Sequence, residues 1–158
     1  MSEIPPVAAV LSELAIPYRT HVHKEPIKTI EQAAEDRGQK PDQIVRSILF
    51  RIEEGKFVMV LVAGSSQISW PKLRAYLSRS RLTLATENEV LLMTGYQIGA
   101  VSPFGLPQPI RVLVDNNVFL NTEISIGSGV RGTAIILNSA DLSSALGDIE
   151  ISTFIESK

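Results

Sequence analysis

The chain has 158 residues, of which 44% are hydrophobic and 20% charged, and this composition predicts one folded globular domain over residues 1–158. It contains no cysteine, which excludes thiol nucleophiles, thiolate metal sites and redox disulfides. The N-terminus lacks the basic start and the apolar run of a signal peptide, and no apolar run approaches about 18 residues. We therefore expect a cytoplasmic protein that does not insert into a membrane.

The formal net charge is −2 at pH 7, but the charges are unevenly distributed. No Asp or Glu occurs between Gly55 and Thr86, although this segment contains five basic residues. Four of them form what we call the basic tract: Lys72, Arg74, Arg79 and Arg81. Such a tract is typical either of a solvated helix face or of a surface that binds the phosphates of a nucleic acid.

Periodic patterns predict helices and strands in the first third of the chain. Apolar residues at helical spacing predict a helix over residues 6–14, and alternation predicts a strand over residues 18–23. Thr29 and Gln32 form a capping box for a second helix, which ends at Gly38.

The middle of the chain predicts a β-hairpin and two more helices. β-Branched and aromatic residues predict strands over residues 44–52 and 57–63, joined by a turn. The elements that follow are a helix capped by Ser69, a strand over residues 82–84, and a helix that begins at the capping box of Thr86 and Glu89 and ends at Gly95.

The last part of the chain adds strands and one helix after a Gly/Pro-rich loop over residues 96–109. The predicted elements are strands at residues 110–114, 124–126 and 133–137, a helix that Ser139 caps and Gly147 ends, and an edge strand at 149–154. Because hairpins and helices are mixed along the chain, we expect an α/β (α+β) domain with a mixed sheet.

A glycine-rich segment at residues 127–132, GSGVRG, matches the dinucleotide-binding pattern G-x-G-x-x-G. That pattern binds a pyrophosphate only between a strand and the N-terminus of a helix, whereas residues 133–137 predict a strand. The sequence therefore favours a tight connection between strands. Its amides and Arg131 could bind an anionic or carbonyl ligand, or the glycines serve only a turn that requires positive φ.

A second unusual segment, residues 95–105 with the sequence GYQIGAVSPFG, has three glycines and one proline among apolar residues. This composition predicts an ordered loop that is packed by its own side chains. Backbone amides near Gly99 and Ala100 could donate to a carbonyl oxygen or an oxyanion, and the alternative is a purely structural loop.

Arg46 is the residue whose chemistry differs most from that of its neighbours. In the predicted strand it shares a face with Ile44, Ile48, Phe50 and Ile52, which places a cation on an apolar face. A buried arginine requires a partner, either a carboxylate of the protein or the carbonyl or phosphate group of a ligand. A β-bulge that turns Arg46 outward is the third option.

His21 and His23 lie on one face of their predicted strand. A zinc site needs about three protein ligands, and the chain has no other histidine and no cysteine, so we expect no metal. The sequence also lacks the G-x-S-x-G and G-x-x-x-x-G-K-[ST] motifs, which disfavours a serine hydrolase and a P-loop enzyme.

Three segments in order resemble the YbaK / prolyl-tRNA synthetase-associated editing domains: QIVRSILF at residues 43–50, TGYQIGAVSPFG at 94–105 and GVRG at 129–132. VAG at residues 62–64 does so too, and the resemblance extends over about residues 18–154. It implies a free-standing member with a mixed, partly closed sheet and surrounding helices. It also implies a deacylase that hydrolyses the ester of a mischarged tRNA, most often a prolyl-tRNA that carries a wrong small amino acid.

The sequence departs from the family pattern at several positions. Arg46 stands where the family normally has lysine, and Ala100 replaces a glycine. Gly127 and Ala134 fall on a serine and an aspartate of some editing members, and His23 falls on a tyrosine. Arginine keeps the positive charge but cannot act as a base, so these departures bear on both specificity and activity.

The resemblance implies a reaction that needs no protein nucleophile, metal or cofactor. An aminoacyl ester is already activated, so a positioned water, oxyanion donors and a pocket of the right size suffice, and the vicinal hydroxyl of the terminal ribose can assist the water. The implied catalytic residues are Arg46, Gly99 and Ala100, with amides near Gly99 and Gly129 at the developing charge. The implied substrate-binding residues are His23, Thr29, Ser102, Pro103, Phe104, Gly127, Ser128, Gly129 and Arg131.

The partners implied by the resemblance are the aminoacylated 3′ end of tRNA, which the basic tract would contact, and an aminoacyl-tRNA synthetase. Two other functions stay open. One is a module that binds a tRNA 3′ end or a nucleotide without hydrolysis, and the other is a remodelled small-molecule hydrolase.

Overall fold

The computed structural model describes residues 4–157. Residues 1–3, which begin the segment used above to argue against a signal peptide, lie outside the described residues. Residues 4–157 form five α-helices, eight β-strands and two 3-10 helices. In chain order these are α1 (Pro6–Glu13), β1 (Arg19–Val22), α2 (Ile30–Arg37), a 3-10 helix (Pro41–Gln43), β2 (Val45–Glu53), β3 (Lys56–Ala63), α3 (Trp70–Leu77), β4 (Thr83–Leu84), α4 (Glu87–Thr94), β5 (Arg111–Asp115), a 3-10 helix (Asn116–Phe119), β6 (Glu123–Gly127), β7 (Thr133–Asn138), α5 (Ser139–Leu146) and β8 (Glu150–Ser152).

The helix ends follow the capping residues closely, with two differences. For α4, Thr86 and Glu89 form the complete capping box that the sequence predicts. For α2, Thr29 accepts from the N–H of Gln32, but the Gln32 side chain accepts from the N–H of Lys28 and not from that of Thr29. For α5, the predicted cap was wrong. Asn138 caps this helix through Ala140 N–H, and the Ser139 hydroxyl instead donates to the carbonyl oxygen of Asn121.

The strands form two sheets, one of them mixed as the sequence predicted. One sheet is antiparallel with the order β1-β7-β6, and the other is mixed with the order β4-β2-β3-β5-β8. They meet at a single bridge between Ile44 and Ser125. The loop over residues 96–109 separates them beyond that bridge, because the backbone of Ala100 and Val101 lies directly against Gly127 of β6. The mixed α/β class is confirmed.

Two hydrophobic cores lie on opposite faces of the mixed sheet, as strand alternation requires. One face contributes Leu49 and Leu61 to a core shared with α1, β6 and β7. The other face contributes Phe50 and Val60 to a core that α3 covers with Leu73 and Leu77. Buried on both faces, β3 is an almost continuous apolar run. The edge of β2 that does not pair with β3 therefore lies toward the antiparallel sheet.

Among residues 4–157, no helix has the length and apolar character that crossing a membrane requires.

Candidate active site

One edge of β2 is unpaired over a short stretch. β2 pairs with β3 along one edge, but its other edge pairs with β4 only at Phe50 and Arg51 and with β6 only at the Ile44 bridge. On this second edge the carbonyl oxygen of Leu49 accepts from Ala85 N–H at 3.0 Å. Because backbone groups alternate between the two edges of a strand, the N–H and C=O of Ser47 face the same open edge.

A cavity of about 320 Å³ lies at this open edge. Three segments that are far apart in the sequence form it, namely the start of β2, the loop around Gly99, and the facing ends of β6 and β7, and the end of α2 adds one more side chain. The lining residues are Arg37, Ile44, Val45, Arg46, Ser47, Ile48, Ile98, Gly99, Val101, Ile126, Gly127 and Thr133. The cavity therefore brings together three residues that the sequence singled out, Arg46, Gly99 and Gly127.

Arg46 shares the Phe50 face of β2, as predicted, but its partners differ from those considered. Its Nε–H donates to the carbonyl oxygen of Gly64 at 2.8 Å, and Nη2 donates to that of Ser66. No carboxylate among the described residues forms an ion pair with it. Burial lowers the pKa of its guanidinium. Backbone carbonyls, which no residue pattern identifies, therefore hold this cation.

Arg37 supplies a second guanidinium, which no sequence pattern singled out. Its Nε–H donates to Nε2 of His23 at 3.0 Å, and Nη1 donates to the buried hydroxyl of Ser125 at 2.8 Å. Burial is the main cause that lowers the pKa of Arg37. Because Ser125 lies 88 positions further along the chain, only the tertiary fold reveals this arrangement.

His23 lies behind Arg37 and does not line the cavity. Its side chain is 3% exposed, and its Nδ1 lies 2.6 Å from Oδ2 of Asp36. Since Nε2 accepts from Arg37, Nδ1 carries the proton and donates to Asp36. Burial is the largest cause that lowers the pKa of His23, so the neutral ring is favoured. The sequence implied that His23 contacts the substrate. In the structure His23 instead positions Arg37.

Asp36 also accepts from His21 at 2.8 Å, which gives the histidine pair the third ligand-type group that the sequence did not show. The hydrogen bonds argue against a metal centre. A histidine nitrogen binds a metal only when it carries no proton, and Nδ1 of His23 is protonated here. We therefore describe this trio as a hydrogen-bonded cluster that fixes Arg37.

Ser47 is the second functional candidate that sequence reasoning missed. Its Oγ is buried and has no hydrogen-bond partner among the described residues. Buried hydroxyls are nearly always hydrogen-bonded, so an orphaned one beside a cavity is a ready contact for a ligand. The available signal was its polarity on a β2 face where Val45 and Leu49 are buried.

Most of the backbone amides predicted to form an oxyanion site already donate hydrogen bonds within the protein. Ala100 N–H donates to Gln97 at 2.9 Å, and Gly129 N–H donates to the carbonyl oxygen of Ala100 at 3.0 Å. These two donors close the turn and join the two glycine-rich loops. Gly99 N–H, on a residue with φ of +95°, has no partner among the described residues. Gly99 lines the cavity, so its N–H remains available to a ligand.

Several other residues implied as substrate contacts lie away from the cavity. The buried Ser102 hydroxyl accepts from Phe104 N–H, and Phe104 itself is a core residue. Ser128 is fully buried, and its hydroxyl bonds to the backbone of Val130 and Thr133. Pro103 lines a different cavity, Thr29 caps α2, and Arg131 donates to the carbonyl oxygen of Ile98 at the surface. Ser102, Ser128 and Arg131 thus order the two glycine-rich loops.

The basic tract lies on and just after α3, and only part of it is unpaired. Lys72 donates to the carbonyl oxygen of Ile155 at 2.9 Å, which ties α3 to the C-terminal segment. Arg79 forms an ion pair with Glu53 at 3.5 Å. Arg74 and Arg81 have no side-chain partner within residues 4–157. Two of the four cations are thus available for an external anion.

Comparisons with known proteins agree with this architecture. The family model described as "Aminoacyl-tRNA editing domain" matches residues 24–145. The proline–tRNA ligase of Aquifex aeolicus is 31% identical over 120 residues, which are 76% of this chain and 20% of that ligase. The corresponding ligase of Kosmotoga olearia is 37% identical over 92 residues, or 58% of this chain and 16% of the ligase. The chain therefore spans about a fifth or less of these curated relatives.

A solved structure extends the comparison to nearly the whole fold. It is described as a candidate trans-editing enzyme for prolyl tRNA synthetase. It superimposes with a TM-score of 0.87 over 96% of both chains at 24% identity. At that identity the match establishes a shared fold.

Proposed function

This chain belongs to the aminoacyl-tRNA editing domain family, and we propose that it hydrolyses the ester bond of a mischarged tRNA supplied in trans. The single observation that carries the proposal is the cavity at the open edge of β2, where Arg46, Gly99 and Gly127 meet from three separate segments. The names of the relatives favour a prolyl-type tRNA, and the resemblance of the sequence implies that it carries a wrong small amino acid.

The cavity offers oxyanion donors and a cation to an ester substrate. Water attacks the ester carbonyl, the bond from that carbon to the ribose oxygen breaks, and a proton passes to the ribose. The N–H groups of Gly99 and Ser47 can donate to the oxyanion that forms on the carbonyl. Arg46 lines the same cavity and can hold the substrate through the N–H groups that its carbonyl partners leave free.

The described lining includes no carboxylate, histidine or thiol that could remove a proton from water. The base must therefore come from outside this set of side chains, and the vicinal hydroxyl of the terminal ribose is the group closest to the ester. Catalysis then depends on positioning and oxyanion stabilisation. Size selection adds only about 1–3 kcal/mol per methylene group, so a small cavity excludes larger residues incompletely.

The test is a panel of alanyl-, cysteinyl- and seryl-tRNAs with the proline anticodon, incubated with the purified protein while free amino acid is measured. We expect release from at least one mischarged tRNA and much slower release from correctly charged prolyl-tRNA. The Arg51→Gln variant is a matched control for substitutions of Arg46. Arg51 lies on β2 as Arg46 does, but it pairs with Glu89 outside the cavity. If no member of the panel releases free amino acid, hydrolysis of these small neutral aminoacyl esters is rejected.

A non-catalytic tRNA-binding module is the second candidate, and one observation favours it. Two of the three amides expected to stabilise an oxyanion, those of Ala100 and Gly129, are already hydrogen-bonded within the loops. Such a module would bind charged tRNA tightly but release no amino acid. Measuring affinity and release on the same panel separates the two functions.

A further inference from the structure

The cavity carries an unbalanced positive charge. Arg37 and Arg46 both line it, and the described lining residues include no Asp or Glu. Two other arginines of the described chain are paired with carboxylates. Arg51 pairs with Glu89 at 2.8 Å, and Arg111 binds Glu150 through two nitrogens.

Both cavity arginines are half-buried and retain unused donors. A guanidinium has five N–H donors. Arg37 uses two of them on His23 and Ser125, and Arg46 uses two on the carbonyls of Gly64 and Ser66. All four of these partners are neutral. Asp36 precedes Arg37, but its Oδ2 accepts from His21 and His23 at the protein surface.

A half-buried cation that is hydrogen-bonded only to neutral groups pays a desolvation cost without a countercharge. Arg46 bears this cost in full, whereas for Arg37 the nearby charge of Asp36 offsets part of it. Neutral acceptors on both sides fix Arg37 in place, so its charge is held at the cavity wall before any ligand arrives. Such a preorganised cation binds an oxyanion with little further ordering.

We propose that Arg37 and Arg46 form a subsite for an anionic group of the ligand, a carboxylate or a phosphate. The inference rests on the proposed function, because the ligand in question is the 3′ end of an aminoacyl-tRNA. That ligand offers two sources of such a group. One is the side chain of an aspartyl or glutamyl ester, and the other is the phosphodiester of the terminal nucleotide. If the phosphodiester lies elsewhere, a small neutral side chain such as that of alanine would leave both cations without an anionic ligand group.

Two pairs of small probes test the subsite without any hydrolysis. Adenosine 5′-monophosphate and adenosine differ by the phosphate, and aspartic acid α-methyl ester and asparagine methyl ester differ by the side-chain charge. We expect the charged member of at least one pair to bind about tenfold more tightly in chemical-shift titrations, the scale of one charge-assisted hydrogen bond. A preference for the nucleotide identifies the phosphate source, and a preference for the aspartyl ester identifies the carboxylate.

The preference must depend on the two arginines. Arg37→Gln and Arg46→Gln should each reduce it to about twofold or less, whereas the control Arg51→Gln should retain it. If either variant fails to fold, the wild-type protein alone tests the subsite. Its preference for the charged probe must shrink when the NaCl concentration is raised from about 50 mM to 300 mM. Equal binding within both pairs, or a preference that survives both substitutions or the salt, would overturn the subsite.

The outcome separates this inference from the proposed function. Release of amino acid from a mischarged tRNA without any anion preference would overturn the subsite alone. An arginine-dependent anion preference without release from any tRNA would support the subsite and reject the hydrolase.

Discussion

Nε–H of Arg37 donates to Nε2 of His23 at 3.0 Å, so an imidazole outside the cavity holds a guanidinium in the cavity wall. The bond requires a neutral ring, because a protonated His23 has no lone pair left to accept it. Protonation would also place a second positive charge against Arg37. The geometry of the wall is therefore coupled to the titration of a residue that does not touch the ligand.

This coupling predicts a loss of stability at acidic pH. Burial lowers the pKa of His23 in the folded state, whereas the pKa of an unfolded histidine is about 6.5. Between these two values the unfolded chain binds more protons, so the free energy of unfolding should fall as the pH drops below about 6.5. The Asp36 pKa is also lowered, by its bonds to the two histidines, but that carboxyl titrates at lower pH.

Urea unfolding of the wild type and of His23→Gln at pH 5 to 7.5 provides the measurement. A glutamine amide can still accept from Arg37 and does not titrate, so this variant should lose most of the pH dependence over that range. Equal slopes in the two proteins would exclude His23 as the titrating group.

Arg46 should matter more for activity than for stability. Removing a donor that contacts the transition state lowers rates by about 10²-fold or more, so Arg46→Ala should lower kcat/KM for deacylation on that scale. Its partners are two carbonyl oxygens, which water can solvate, so we expect a stability loss near about 1 kcal/mol. Stranding a buried carboxylate would instead cost about 3–5 kcal/mol.

Kinetics and urea unfolding on the same preparations distinguish these roles, and Arg46→Lys should retain or raise activity because it keeps the charge. An Arg46→Ala protein that melts far earlier yet cleaves normally per folded molecule would remove Arg46 from the site.

For Ser47, we predict that removal of the hydroxyl lowers activity without lowering stability. Its Oγ is buried without a partner, so Ser47→Ala should leave the free energy of unfolding unchanged or raise it by about 1 kcal/mol. The same change should weaken deacylation, since Ser47 lines the cavity. Ser102→Ala is the matched control, because that buried hydroxyl accepts from Phe104 N–H and its loss should destabilise the fold. A Ser47→Ala protein with unaltered kinetics would argue against a substrate contact.

Gly127 should tolerate no side chain. A Cβ there would lie 2.9 Å from the carbonyl carbon of Ala100 and closer still to the carbonyl oxygen of Val101. Because both obstacles are backbone, Gly127→Ala must displace the loop from β6, at a cost of about 1–3 kcal/mol and with loss of activity. Gly132→Ala is the opposite case, since a Cβ there meets nothing within 4 Å and only the φ of +82° opposes the substitution. Equal stability of Gly127→Ala and the wild type would contradict the close contact.

The basic tract should contribute unevenly to tRNA binding. Replacing Arg74 and Arg81 with glutamine should reduce the slope of log affinity against log salt, by about 0.9 for each lost contact to a duplex phosphate. Replacing Lys72 and Arg79 should affect it less, because Ile155 and Glu53 engage them. An unchanged slope in all four substitutions would identify the tract as a solvated face.

Local signals predicted most of the fold. Caps such as Thr86 with Glu89 act over a few residues, and alternation on β2 and β3 follows from burial on two faces, so both can be recognised in the sequence. The division into two sheets depends on how the loop at Ala100 meets Gly127, which is a contact between distant segments. The same limit applies to the site. Arg37 was missed because its hydrogen bond to Ser125 spans 88 positions.

The short gap in the pairing of β2 also bears on how copies of the chain meet one another. Unpaired strand edges usually invite pairing with another molecule and lead to aggregation. Here the bridge at Ile44 and the bond from Ala85 to Leu49 close the gap at both ends. An incoming strand would have to break both to gain more than one residue of pairing. The backbone of Ser47 is therefore open to a small ligand while the edge stays closed to intermolecular strand addition.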